Sequence, residues 1–439
     1  MHQEIRTIQQ FYALMQETGE VRRRIASSIL EGGKPDPEDT KRLASSLEAL
    51  KQIPRRDGRF ELSAGAAGGG RTGAGRIGGG RTGGGTAGGG TAGGGHTSTR
   101  GSGGRTIHLE LDYEFDELEK DLLFLKEGEE ALLARMSRLH PGFQEELDGA
   151  LAFCRGMNLP LSCLLTDRDG TVNNYCGRYL SSIQSAYNAV FLSRFAAAAV
   201  RKAVILTSAP LSDGGLEDLT VSPPGAFVLA GSKGREYLDD RGRRGALAIG
   251  TDKQRQLERL NRRLGELLRD PGYEIFALIG SGLQFKFGQT TVARQDIYGS
   301  IPEADSINFA GVIRELICEI DPDGLYFRIE DTGKDIEIIL TVEGASGLKD
   351  FDKGDGILFL DSRLGLGLQR GANLVCGDTA SDVPMVAAAA EKSPDPWTIF
   401  VTREEKLKEA VRRTSKRAHF VSKPDVLVCL LNQLGKERG

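Results

Sequence analysis

Nowhere in its 439 residues does the sequence reach the roughly 20 consecutive apolar side chains that span a bilayer. Its opening, MHQEIRTIQQ, holds no apolar stretch of the kind a secretory signal needs. Both absences point to a soluble, cytoplasmic chain with no membrane partner. An excess of one charge is also missing: 57 basic side chains stand against 61 acidic ones, a formal net charge of -4, which argues against a general nucleic-acid binder. The cysteines, Cys154, Cys163, Cys176, Cys318, Cys376 and Cys429, form no CxxC pair. That scatter speaks against a zinc site or a disulfide frame and fits reduced, mostly buried thiols.

Glycine, by contrast, is crowded into residues 64–105, where pentapeptides of the type GGGRT and GGGTA repeat in tandem. Such a segment cannot bury enough apolar surface to offset its chain entropy, so a disordered linker is expected, a tether of about 36 Å root mean square. Its GAGRIG and GRIGGGRT mimic a dinucleotide fingerprint and a phosphate loop. Neither follows a strand or opens a helix, and glycine repeats generate such matches freely. Residues 1–63 read as a helical segment: Ile5, Ile8, Tyr12 and Met15 recur at helical spacing. A second helix starts after Asp36 as N-cap and Pro37 at N1, with Leu43, Leu47 and Leu50 on one face. Residues 106–158 continue with a strand-like TIHLELD and helices around Leu118 to Leu139 and Phe143 to Phe153. This helical region reads equally as a module for a protein partner or as packing against the rest of the chain. Removing the first 105 residues is expected to leave catalysis unchanged, because every chemistry-bearing motif lies beyond them.

From Leu159 the rhythm changes to alternating strands and helices, the mark of parallel βα units. LSCLLT, KAVILT, AFVLAG, NLVCG, TIFVT and AHFVS read as strands of an α/β core over 159–245 and 348–439. Residues 246–347 break the pattern. A helix (Leu257, Leu260, Leu264, Leu267), two strands (EIFALIG and LQFKF onward), a helix (Phe309, Val312, Ile313, Leu316) and two more strands (LYFRIE, IEIILTV) form an αββαββ unit, read as an inserted cap.

Four fragments carry chemistry: TDRDGT with Asp167 and Asp169, ILTSAP with Thr207 and Ser208, FDKGDG with Lys353, and CGDTASDVPM with Asp378 and Asp382. The first, second and fourth directly follow strand-like runs, so one parallel sheet would bring them to its carboxyl edge, where ligands of α/β folds bind. Lys353 would arrive on the helix that re-enters after the cap. Carboxylates gathered there repel one another unless a proton or a cation intervenes, and a cluster of hard oxygen ligands suits magnesium with a phosphate as its remaining ligand. An EF-hand fails on count: starting at Asp167, position 6 is Val172 and position 12 is Arg178, where glycine and glutamate are needed.

These residues resemble the haloacid-dehalogenase-like phosphatases, whose DxDGT, hydroxyl, lysine and GDxxxD motifs match Asp167/Asp169, Thr207, Lys353 and Asp378/Asp382. More narrowly, TDRDGTVNNYC, TSAPL, GSKGRE and GDTASDVPM are similar to the trehalose-6-phosphate phosphatases, in particular the nematode-type and related bacterial members with a helical N-terminal extension. The resemblance implies a Rossmann-like core with a cap between the second and third motifs. It implies Asp167 as nucleophile, Asp169 as general acid and base, and Thr207 and Lys353 on the phosphoryl oxygens. Magnesium would be held by Asp167, the Asp169 carbonyl, Asp378 and Asp382.

Spacing agrees with that cap type. Thr207 follows Asp167 by only 40 positions, too few for an inserted domain, whereas Lys353 follows Thr207 by 146. In the resembling family a cap acid, lysine and arginine and a later glutamate reach the sugars; here LQFKFGQTTVAR and RIED offer Gln284, Lys286, Arg294 and Glu330, with glutamine in place of the acid. Arg235 and Glu236 of GSKGRE are secondary candidates. The expected activity is magnesium-dependent hydrolysis of trehalose 6-phosphate, a small-molecule substrate. Two alternatives stand beside it: the same chemistry on a sucrose or glucosylglycerate phosphate, and a non-catalytic regulatory protein with a disused phosphatase domain.

Overall fold

The computed structural model describes residues 4–56, 58–64, 106–341 and 351–437. The expected glycine-rich linker lies outside the described residues except for Ala64, as do residues 342–347 of the expected cap. Helix α1 (Ile8–Leu30) starts at a capping box, with Thr7 Oγ1 accepting from the Gln10 N–H at 3.2 Å and the Gln10 side chain accepting from the Thr7 N–H at 3.1 Å. Ile8, Phe11, Tyr12, Met15 and Ile25 all turn inward from it. Helix α2 (Pro37–Lys51) is capped by Asp36, which accepts from the Glu38 N–H at 2.8 Å. Next come β1 (Arg55–Arg56), β2 (Arg59–Ser63) and β3 (Thr106–Leu109), a small antiparallel sheet in which Ser63 pairs with Thr106. The two ends of the glycine-rich stretch are therefore neighbours on paired strands. Helices α3 (Asp112–Glu127), α4 (Glu129–Leu139) and α5 (Phe143–Cys154) follow, the first two broken apart at Gly128, whose φ of +87° stops the longer helix the sequence suggests.

The next elements are β4 (Leu161–Thr166), α6 (Ala186–Ala199), β5 (Val200–Leu206), the single turn α7 (Leu216–Leu219), β6 (Val228–Gly231), β7 (Glu236–Leu238) and β8 (Arg244–Ala246). The cap comprises α8 (Thr251–Leu267), β9 (Leu283–Lys286), β10 (Gln289–Ala293), α9 (Glu303–Ile320), β11 (Phe327–Asp331) and β12 (Asp335–Leu340). The core resumes with α10 (Lys353–Leu364), β13 (Asn373–Gly377), α11 (Val383–Lys392), β14 (Trp397–Val401), α12 (Glu405–Thr414), β15 (Ala418–Val421) and α13 (Pro424–Lys436). One eight-stranded sheet runs β15-β14-β13-β4-β5-β6-β7-β8, parallel from β15 to β6 and antiparallel at β7 and β8. Strand alternation divides its apolar residues between two layers. Cys163, Leu165, Val204 and Val375 pack with α10, α11 and α12. Leu164, Ile205, Leu374 and Ile399 belong to a larger cluster that also holds Phe191 of α6, Leu430 of α13 and the inward residues of α1, α2 and α3.

The N-terminal helices thus share a core with the sheet, and the apolar faces that the sequence offered to a partner are covered by this chain. Removal of residues 1–105 would therefore strip part of a core shared with the sheet, and a cost in fold stability is expected. Arg22 of α1 is fully buried and donates Nε to Asp121 Oδ2 of α3 at 2.7 Å and Nη1 to the Ile183 carbonyl at 3.4 Å. Arg22→Ala would leave the Asp121 carboxylate buried without its cationic partner, and a loss on the order of 3 to 5 kcal/mol is expected. Urea unfolding checks this: a midpoint that barely moves would show that α1 is dispensable to the fold.

The cap sheet runs β11-β12-β10-β9, antiparallel throughout. Val292, Ile336, Ile338 and Phe327 turn to the side of α8 and α9. One expected strand is absent. Glu274–Ala277, within EIFALIG, is a 3₁₀ turn that places Phe276 in a stack on Phe309 of α9, ring centroids 3.7 Å apart. The strands begin at Leu283 and turn at Phe287 and Gly288, where φ of +78° favours glycine.

Candidate active site

The central strand β4 ends at Thr166, and Asp167 follows with its N–H donating to the Cys376 carbonyl of β13 at 3.1 Å. β5 ends one residue before Thr207, and β13 one residue before Asp378. Parallel pairing of these three strands brings all three residues to one edge. Lys353 opens α10, whose N-cap is Asp352. Its ammonium is buried between two carboxylates, donating to Asp167 Oδ1 at 2.6 Å and to Asp382 Oδ1 at 2.5 Å. The other Asp382 oxygen accepts from the Asp378 N–H at 3.0 Å and the Thr379 N–H at 2.9 Å, which fixes both ends of the GDxxxD turn. Thr171 Oγ1 lies 3.3 Å from Asp167 Oδ2 and 3.1 Å from Asp378 Oδ1. Gly170 permits this closeness: its φ is +86°, and a Cβ there would lie 2.1 Å from Asp378 Oδ2.

Asp167, Asp378 and Asp382 each offer an oxygen within 4.8 Å of the others. Burial pushes the Asp378 carboxyl up, and the charges of Asp167 and Asp382 add to the push. Asp167 is also pushed up by burial, against the pull of Lys353. Burial opposes the Lys353 charge, but Asp167 and Asp382 outweigh it and hold the ammonium protonated. Three carboxylates thus face one ammonium, and the uncompensated negative charge suits a cation that prefers oxygen ligands. The donor set fits a metal. Asp169 contributes no carboxylate to this cluster. Its Oδ1 accepts instead from Arg168 Nη1 at 2.5 Å and Ser182 Oγ at 2.8 Å. Thr207 is buried beside the cluster's strands, its carbonyl accepting from the Lys233 N–H at 2.8 Å. Lys233 and Ser232 both adopt left-handed backbone, with φ of 62° and 52°.

Register places Gln284, Thr291, Glu337 and Glu330 in one row across the cap, with Lys286, Gln289 and Arg328 in a second row on the same face. This polar face turns to the core. Lys286 feels Lys233, and the two-thirds-exposed Tyr175 lies in the fields of Asp335 on the cap and of Asp169 and Asp378 on the core. Burial pushes the Lys286 ammonium down to about 8, although Glu337 and Asp335 pull the other way. Gln284 donates to the Ser281 carbonyl at 3.0 Å. The structure does not bring the remaining two candidates to Lys286. Arg294 is drawn to Asp331 at 2.8 Å and Ser306 at 2.9 Å, and Glu330 pairs with Arg328 at 2.7 Å on the edge strand. Arg235 and Glu236 meet the β9–β10 turn of the cap: Arg235 Nη1 donates to the Phe287 carbonyl at 3.4 Å, while Glu236 accepts at 2.6 Å from Ser232 Oγ, itself the acceptor of the Phe287 N–H at 2.8 Å. Sequence reasoning passed over Asp335 and Glu337, although their alternation with Ile336 and Ile338 in DIEIIL places both on the face opposite the apolar one.

Residues 164–427 match the trehalose-6-phosphate phosphatase C-terminal family, and residues 7–137 match the trehalose-6-phosphate phosphatase N-terminal helical bundle domain. The chain belongs to the trehalose-6-phosphate phosphatase family. Its fold is α/β, with a mixed core sheet, a separate antiparallel cap sheet and an N-terminal helical bundle. A Caenorhabditis elegans relative named UDP-forming alpha,alpha-trehalose-phosphate synthase 2 is 29% identical over 452 residues, 98% of this chain and 34% of that protein. The chain thus spans about a third of the length of that relative. A trehalose-phosphatase of the same organism is 34% identical over 288 residues, 62% of this chain and 63% of that one. The trehalose-6-phosphate phosphatase C-terminal domain of Candida albicans shares 14% identity at a TM-score of 0.41, over 66% of this chain and 96% of that one. Among the described residues no helix is long and apolar enough to cross a membrane.

Proposed function

We propose that the chain hydrolyses trehalose 6-phosphate to trehalose and phosphate through an aspartyl-phosphate. The observation that carries this reading is the Lys353 ammonium held between Asp167 and Asp382. That arrangement gives a carboxylate nucleophile and a cation for the phosphoryl oxygens at one point. Asp167 attacks phosphorus in line while the bond to the sugar oxygen breaks, which divides one hard displacement into two easier ones. Asp169 gives a proton to the departing sugar oxygen and then takes one from the water that releases phosphate. Lys353 and Thr207 bind the equatorial oxygens, where charge sits in a phosphoryl-transfer transition state. Magnesium bound by Asp167, Asp378, Asp382 and the Asp169 carbonyl would offset the repulsion between carboxylate and phosphate.

The disaccharide is read by the polar cap face. Sugar hydroxyls answer side chains that stay unpaired against a smaller ester. Lys286→Ala is expected to lower kcat/KM for trehalose 6-phosphate by roughly 10- to 150-fold, one charge-assisted hydrogen bond, whereas Glu330→Ala, which removes a side chain paired with Arg328, is expected to cost much less. p-Nitrophenyl phosphate, which lacks the hydroxyls, should be nearly indifferent to both. Because Lys286 is pushed down to about 8, it is an ammonium below that pH and an amine above it. Wild-type kcat/KM on the disaccharide should therefore fall as pH rises through about 8, and Lys286→Met should lack that fall. Equal losses on both esters would assign Lys286 to cap stability instead of sugar binding.

A further inference from the structure

Helix α3 buries a polar face where an amphipathic helix would bury an apolar one. Tyr113, Glu114, Glu117, Lys120 and Asp121 share one side of it, and each of the four charged residues is at most 2% exposed. Their partners come largely from the segment that follows the DxDGT turn. Glu114 accepts from Arg178 Nη2 at 2.9 Å, Glu117 from Asn174 Nδ2 at 2.8 Å, and Asp121 from the Tyr187 N–H at 3.1 Å. Lys120 donates to Glu117 at 3.0 Å and to Asp425 of α13 at 2.7 Å. Buried charge stabilises a fold less than apolar packing of the same volume would. What such a face adds is direction: it fixes the path of residues 173–187 bond by bond.

One branch of this network ends in the active site. Tyr113 Oη donates to the Ile183 carbonyl at 3.0 Å and accepts from Asn173 Nδ2 at 3.1 Å. Asn173 Nδ2 also donates to Ser182 Oγ at 3.2 Å, and Ser182 Oγ donates to Asp169 Oδ1 at 2.8 Å. Arg168 Nη1 donates to the same Ser182 oxygen at 3.2 Å. With both lone pairs so engaged, the Ser182 hydroxyl keeps its hydrogen for Asp169. Asn173, Ser182 and Arg168 are all buried, so water does not compete for these bonds.

We propose that α3 is a positioning element of the active site: Tyr113, acting through Asn173 and Ser182, holds the Asp169 carboxyl where it serves the leaving oxygen. The inference rests on the role given to Asp169 under the proposed function. Tyr113 touches no reacting atom, so its effect is on orientation alone.

The test is a double-mutant cycle in the full chain, with Tyr113→Phe, Ser182→Ala and the pair combined, on trehalose 6-phosphate and p-nitrophenyl phosphate. kcat/KM covers the steps up to departure of the leaving group. A nitrophenolate departs without a proton, whereas a sugar oxygen needs one. Tyr113→Phe is expected to lose roughly tenfold on the disaccharide and less than about twofold on the nitrophenyl ester. The pair should lose no more than Ser182→Ala alone, because both act through one chain of bonds. Independent, multiplying losses would overturn the proposal, as would equal losses on both esters or no loss on the disaccharide. Should Tyr113→Phe be insoluble, Asn173→Ala with Ser182→Ala closes a second cycle through the same bonds, with the same outcomes. A wild-type chain that cleaves the nitrophenyl ester but not trehalose 6-phosphate defeats only the substrate reading, and the cycle then runs on the sugar phosphate it does cleave. A wild-type chain that cleaves no ester defeats both.

Discussion

Asp167→Asn is expected to abolish phosphate release from every ester while leaving the fold intact. An amide neither attacks phosphorus nor ligates a divalent cation well, and a lost nucleophile costs several kcal/mol, on the order of a thousandfold or more in rate. The substitution should not weaken the fold. Burial and the Asp382 charge already push Asp167 up, so removing one of three crowded acids relieves repulsion, and Lys353 keeps its bond to Asp382. Circular dichroism and thermal unfolding check the second half of this expectation, and phosphate release the first. Residual turnover within about tenfold of wild type would remove Asp167 from the role of nucleophile.

Lys353→Met is expected to damage both rate and stability. Without the ammonium, Asp167 and Asp382 remain buried against each other with no cation between them, a loss on the order of 3 to 5 kcal/mol of folding stability. Turnover should fall by about a hundredfold or more on trehalose 6-phosphate and on p-nitrophenyl phosphate alike, since the phosphoryl group is common to both. Added magnesium should recover part of the lost thermal stability, because a cation among the three carboxylates offsets the same repulsion. The contrast with Lys286 is the informative feature. Losses confined to the disaccharide would place Lys353 among the sugar contacts and leave the phosphoryl oxygens without their cation.

Much of the fold was legible because its signals are local. LSCLLT and NLVCG are short apolar runs closed by polar residues, and a parallel sheet built from such runs carries Asp167 and Asp378 to one edge whatever the loops do. The cap was legible as a unit but not in every strand, since EIFALIG has a strand's composition, and its turn packs Phe276 on Phe309, a contact far away in sequence. The polar face of α3 could not be recognised as buried. Glu114, Glu117, Lys120 and Asp121 read as the solvated side of an amphipathic helix, and their partners Arg178, Asn174, Asp425 and Tyr187 lie far away in sequence. Arg294 shows the opposite failure: a plausible sugar ligand by position is held by Asp331 and Ser306, neither of which a sequence motif marks.

The most direct measurement is phosphate release by the full chain from trehalose 6-phosphate, sucrose 6-phosphate and glucosylglycerate phosphate, each with magnesium and with excess chelator. Magnesium-dependent turnover with the highest kcat/KM on trehalose 6-phosphate, lost on chelation and restored by added magnesium, is the expected result. Turnover that survives chelation, or a chain that releases no phosphate from any of the three, would contradict the account.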